Sequence, residues 1–260
     1  MDVVYLKQLK KASSAAFDTQ FARIMDLAWL PWVGGNYTDC RILIVAESHF
    51  TNPAEKFPVE PWKNEYSDPF YTRKVVAEYP MLGFDPDWRN NANKRNNPAF
   101  DNLFRLLVSD DLLNDPISRS RRAKLCSNFA FMNMMQRATW YSHDRPKDRP
   151  TEKEREMAWE IVVGVLGILM PDLCIVAGTD AAASFRRQMV RLHVPYENWK
   201  CGDHKIGNTI PKSATVILEG KKIPFKFIRH PGSNFRWEEW QEFVFSDCRH
   251  IRAKLLSNTK

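Results

Sequence analysis

Arg41-Ile42-Leu43-Ile44-Val45-Ala46-Glu47-Ser48-His49-Phe50 is the stretch on which the fold turns. Five apolar residues run without interruption and stop at an acid, a hydroxyl, an imidazole and an aromatic ring. A run this short and this apolar predicts a strand buried on both faces, as in a parallel sheet. Ligands of parallel sheets bind just beyond the carboxyl ends of the strands. The polar cluster at 47–50 therefore stands where chemistry is done, and the other elements matter for what they bring to the same edge.

Working outward, Phe17, Phe21, Ile24, Met25, Leu27 and Leu30 recur at helical spacing, predicting a helix over about 14–32, ended by Pro31 and Gly34-Gly35. Downstream, a proline-punctuated insertion over about 51–97 contains an N-cap signature, Asp68-Pro69, opening a helix to about Tyr79. The Asn-rich piece 89–97 reads as a loop. Phe100, Leu103, Phe104 and Leu107 mark a core helix, and a basic stretch, Arg119 to Lys124, precedes a second strand at Phe129-Ala130-Phe131-Met132, which ends at Asn133. Residues 142–150 read as a charged loop. Thr151 and Glu154 form a capping box for a helix to Met170. Leu173 to Gly178 is a third strand, followed by a helix over about 181–192. Residues 214–218 and 223–228 read as a hairpin whose second strand ends at Arg229-His230-Pro231-Gly232-Ser233, and a closing helix runs from about Phe235.

Strands alternating with helical crossovers predict an α/β protein: a three-layer α/β/α sandwich around a central, mainly parallel four-stranded sheet, folded as a single domain over 1–260. Lys and Arg number 38 against 31 Asp and Glu, a net charge of +7 that favours a polyanionic partner. The cysteines, Cys40, Cys126, Cys174, Cys201 and Cys248, are odd in number and dispersed, without zinc spacing. They point to free thiols in a reducing compartment. The N-terminus carries no secretion signal, and the most apolar stretch, 161–170, is far shorter than the ~20 residues of a membrane span. A cytoplasmic protein with no metal or other cofactor is expected.

Glu47-Ser48-His49, Asn133 and His230 thus converge on one sheet edge. Their order resembles the uracil-DNA glycosylase superfamily, which has a Gly-Gln/Glu-x-Pro type motif after the first strand, an Asn ending the second, and a late His-Pro-Ser-like motif. Those places look like Ala46 to Phe50, Asn133, and His230-Pro231-Gly232-Ser233 here, and 171–178 is similar to the third strand of these enzymes. The likeness covers about 40–245. Ala46 stands where the family usually has Gly, Ser48 where its best-known members place a water-activating Asp, and His49 where Pro is usual. The cysteines do not match the spacing of the iron–sulfur members.

The resemblance implies hydrolysis of the N-glycosidic bond of a flipped, damaged or modified pyrimidine base, as in DNA repair or anti-phage defence, by a monomer acting on double- or single-stranded DNA. It implies a leaving-group role for His230, base reading by Asn133 with Ala46 beside it, and stacking by Phe50. Glu47 is the first candidate to activate water and His49 the second, Ser48 offering no base. Asn234, Phe235 and Arg236, after Ser233, are candidates for a wedge in the duplex. Lys205, Lys212, Arg236 and the 119–124 stretch are candidates for phosphate contacts. A catalytically inactive nucleic-acid-binding module of the same fold is the alternative. No nucleophile elbow, phosphate loop or dinucleotide fingerprint supports a different α/β enzyme.

Overall fold

The computed structural model describes residues 15–51, 67–80, 98–109, 118–140, 149–232 and 234–259. Ser233, the Phe50 side chain, the Asn-rich piece and most of the 51–97 insertion lie outside the described residues.

In chain order the elements are α1 (Ala15–Phe21), β1 (Trp32–Val33), α2 (Tyr37–Cys40), β2 (Ile42–Ala46), β3 (Phe50–Thr51), α3 (Tyr71–Glu78), α4 (Pro98–Val108), α5 (Ser118–Cys126), β4 (Phe129–Asn133) and β5 (Thr139–Trp140). They continue as α6 (Glu152–Leu169), β6 (Leu173–Ala177), α7 (Thr179–Arg191), β7 (Tyr196–Cys201), β8 (Lys212–Leu218), β9 (Lys221–Ile228), α8 (Trp237–Phe245) and α9 (Arg249–Thr259). The central sheet has seven strands in the order β1-β4-β2-β6-β9-β8-β7. Its four inner strands, β4, β2, β6 and β9, are mutually parallel. The four-stranded sheet expected from sequence is therefore the centre of a larger one, extended by antiparallel strands on both sides. Of the additions, β8 is the first strand of the hairpin read over 214–218 and 223–228, while β1 and β7 were hard to see for separate reasons. β1 is two residues long and follows a proline, and β7 is broken by a register shift between Glu197 and Lys200, with Asn198 at φ 55°.

β2 explains the layering. Ile42 and Ile44 enter one core with α3, α4, α5, α8 and α9, through residues such as Val76, Phe104, Leu125, Trp240 and Leu255. Leu43 and Val45 enter the other, with Phe21, Trp159, Leu166 and Phe185 of α1, α6 and α7. Strand periodicity of two sends alternate residues to opposite faces, so a strand covered on both sides must be apolar throughout.

The N-terminal helix ends at Phe21 rather than near Trp32. Asp26 takes φ 61°, the Trp29 N–H bonds Gln136 Oε1 at 2.8 Å, and the Leu30 N–H bonds the Pro69 carbonyl at 2.8 Å. Met25, one of the apolar residues that suggested the helix, is 82% exposed. The closing helix is two, α8 and α9. The capping box forms as expected: Thr151 Oγ1 accepts from the Glu154 N–H while the Glu154 carboxylate accepts from the Thr151 N–H.

Candidate active site

The parallel register aligns Asn133 with Ala46, Ala46 with Ala177, and Ala177 with Ile228. The residues that follow, Glu47, Gly178 and Arg229-His230, thus leave the sheet side by side. The connection from β2 leads to one neighbour, β4, and the next strand, β6, lies on the other side of β2. That reversal opens a crevice at the strand ends, the usual ligand position in open α/β sheets.

On the face covered by α3 and α4 the crevice is a cavity of about 310 Å³, lined by Ala46, Ser48, His49, Asn133, His230 and Gly232 along the sheet edge, and by Tyr71, Val75, Phe100, Leu103 and Phe131 within. On the opposite face a cleft of only about 30 Å³ is lined by Glu47, Ser48, Thr139, Asp180 and Ser184, the scale of one or two water molecules. Ser48 borders both.

His230 is oriented by its own turn. The Gly232 N–H donates to its Nδ1 at 3.2 Å, which in the neutral ring leaves Nε2 as the N–H donor. The turn is tied to α4 by Asn102, whose Nδ2 donates to the carbonyls of Pro231 (2.9 Å) and Gly232 (2.8 Å). Asn102 positions this turn and no motif announced it; its neighbours Asp101 and Arg105 make it one polar residue among several on the helix. If this edge is catalytic, as the sequence leads one to expect, Asn102→Ala should lower turnover up to ~100-fold through a displaced His230. KM should change far less, as single-turnover and steady-state kinetics would show.

Asn133 is 2% exposed, and its Nδ2 lies 2.6 Å from His49 Nε2, which also lies 3.3 Å from Thr72 Oγ1. A neutral His49 can accept from the Asn133 amide, leaving Oδ1 as that amide's acceptor for a ligand. The His49 ring packs edge-on against Trp29 (4.9 Å between centroids) and Tyr71 (4.7 Å). Burial of this ring lowers its pKa from 6.5 to about 3. The folded protein therefore binds fewer protons here than the unfolded chain. This contribution to stability is complete above pH 6.5 and is lost as pH falls toward 3. About 2 kcal/mol should disappear between pH 7 and pH 5 in urea denaturation curves, for one proton linked between those two pKa values. The slope should flatten in His49→Phe; an unchanged slope would reject the assignment.

Glu47 faces away from this cavity. Its Oε1 accepts from the Asp180 N–H at 3.3 Å, in the first turn of α7, whose N-cap, Gly178, offers no side chain. Gly178 sits at φ 139°, and a Cβ there would lie 2.5 Å from Glu47 Cδ. Ser48 Oγ pairs with Thr139 Oγ1 at 2.6 Å. The backbone of 46–49 is held by N–H donors of Met134, Met135 and Thr139 at 2.7–2.9 Å.

Lys212 pairs with Phe227 at the carboxyl end of β9, so it reaches the same edge as His230. Exposed Lys205 precedes Gly207, where a Cβ would lie 3.8 Å from Arg236 Cδ and 3.9 Å from Arg229 Nη1. The loop before β8 thus passes beside Arg229 and Arg236 at Gly207, although Arg236 also pairs with Glu239 at 2.5 Å. Arg229 was hidden in the sequence as a strand-end residue. Two other expectations change. Phe235 is 8% exposed and stacks on Trp240 with rings 10° from parallel, a core contact that leaves exposed Asn234 and Arg236 at the wedge position. Arg122 of the basic stretch is buried against Asp101 (2.5 Å) and the Pro80 carbonyl, and lies over the Phe104 ring, so it is not a surface phosphate contact.

No helix among the described residues is long and apolar enough to cross a membrane. No group of three or more His, Cys, Asp or Glu among them could hold a metal ion. No protein-family model matches the chain, and no curated protein matches it significantly.

Proposed function

We propose that the chain is a DNA glycosylase, a divergent relative of the uracil-DNA glycosylase superfamily, that hydrolyses the N-glycosidic bond of a flipped, damaged or modified base. It would act as a cytoplasmic monomer in repair or anti-phage defence. The observation that carries this reading is one cavity bordered by all three sheet-end segments, with His230 held by Gly232 so that Nε2 is its donor.

Breaking the bond builds positive character on the sugar and negative charge on the departing base. The Nε2–H of His230 donates to a carbonyl oxygen of the base and stabilises that charge as it forms. Asn133, locked by His49, reads the base edge through its remaining amide groups. Lys205, Lys212, Arg229 and Arg236 hold the phosphates around the mouth. Water activation is the weak step in this site. His49, with a pKa of about 3, is a poor general base at neutral pH. Glu47 caps α7 beside the smaller cleft. Catalysis then rests mainly on leaving-group stabilisation, with Ser48 at the border between cleft and cavity.

The position of Glu47 also favours a second reading, a binding module that keeps the base pocket without catalysis. Duplex and single-stranded oligonucleotides carrying uracil or other modified bases, treated with alkali after incubation, separate the two. Strand breaks that depend on His230 support the enzyme. Tight binding with no abasic site on any substrate would sink it in favour of the module.

A further inference from the structure

The cavity beside His230 is larger than one heterocyclic ring requires. It measures about 310 Å³, whereas an apolar cavity of about 150 Å³ is enough to hold benzene. Its depth follows from the sheet register. Ala46 and Asn133 form the paired row at the rim, and Ile44 and Phe131, also lining the cavity, form the paired row two residues further back. Two strand residues span about 7 Å, so the cavity runs down the sheet face beneath α3 and α4. The two ends differ in chemistry. The rim carries His49, Asn133 and His230, whereas the row behind it, Ile44 and Phe131, is apolar, and Val75 and Leu103 add apolar lining from α3 and α4. A single six-membered ring held at the rim would leave that apolar space unfilled, forgoing the burial it offers.

Resting on the glycosylase reading, we propose that the base this site takes is about twice the size of a single six-membered ring. It has a carbonyl-bearing edge for His230 and Asn133, and an apolar far end, either a fused second ring or a substituent of similar bulk. The hydrogen-bonding rim fixes its orientation, and the apolar end sets its size.

The test is equilibrium binding of free bases to the full chain by calorimetry, with uracil as the one-ring probe and hypoxanthine and 5-phenyluracil as the larger ones. At least one larger base should bind about tenfold or more tighter than uracil, the discrimination expected from added apolar contact in a preformed pocket. Val75→Phe, which adds a ring to the apolar lining, should erase that difference. Ala46→Val, which narrows the cavity from the sheet side, should reduce it, and serves if Val75→Phe does not fold. Uracil binding as tightly as both larger bases overturns the size inference, as does the failure of every base to bind. The alkali assay on the same preparation then decides the reading beneath it. Abasic sites formed from uracil-containing DNA leave the glycosylase standing without the size preference, and their absence on every substrate removes both.

Discussion

Replacing His230 with alanine is expected to slow base release by about 100- to 1,000-fold, the effect of removing one preorganised donor from a developing anion. Thermal stability should barely move. The ring is only partly buried, and its Nδ1 accepts from a backbone N–H in its own turn. The geometry makes the prediction sharper than a generic active-site knockout. Because Nδ1 accepts from Gly232, the proposed leaving-group role falls to Nε2, and His230→Gln, which retains a side-chain N–H at comparable reach, should recover part of the rate where Ala does not. Single-turnover release on the best substrate measures both. A His230→Ala rate within threefold of the parent protein would remove the leaving-group role.

Gly178→Ala should give a large loss of stability for a single methyl group. Its φ of 139° with ψ 146° is in a region that side-chain-bearing residues avoid, and the new Cβ would fall 2.5 Å from Glu47 Cγ and Cδ. Backbone strain costs about 1–3 kcal/mol and overpacking against a side chain that can shift about 1 kcal/mol, so a loss of about 2–4 kcal/mol is expected. At about 2–4 °C per kcal/mol for a chain near this size, Tm should fall by roughly 5–15 °C. The two causes separate in a double-mutant cycle. Introduced into Glu47→Ala, the same change meets no carboxylate and should show only the backbone part. Equal losses in both backgrounds would mean that Glu47 does not pack against Gly178 in solution.

Much of this architecture is legible in local patterns. Ile42–Val45, Phe129–Met132 and Leu173–Val176 read as buried strands because apolar residues continuous over both faces have no stable alternative to a covered sheet. The Thr151–Glu154 box announced α6 because its capping bonds are local. The placement of Glu47-Ser48-His49, Asn133 and His230 on one edge also followed from strand direction alone. Local pattern misled where partners were distant. Residues 22–32 have helical spacing, yet Trp29 and Leu30 bond Gln136 and Pro69. Arg122 looked like a surface cation and is enclosed by Asp101 and Phe104.

The sequence by itself determined the parallel centre of the sheet and the segments that meet at its carboxyl edge, because strand periodicity and apolar continuity are properties of neighbours in the chain. Only the tertiary structure decided which face of that edge each side chain serves. Around β2 the choice depends on contacts made by residues far apart in sequence: Asp180 and Gly178 draw Glu47 toward α7, while Asn133, Thr72, Trp29 and Tyr71 draw His49 into the cavity wall. Glu47 and His49 are two residues apart, so strand alternation would put them on one face; beyond the end of β2 at Ala46 it is these contacts that separate them. The acid that sequence placed first among the candidates therefore lies across the sheet from His230, and the imidazole placed second became the support of Asn133.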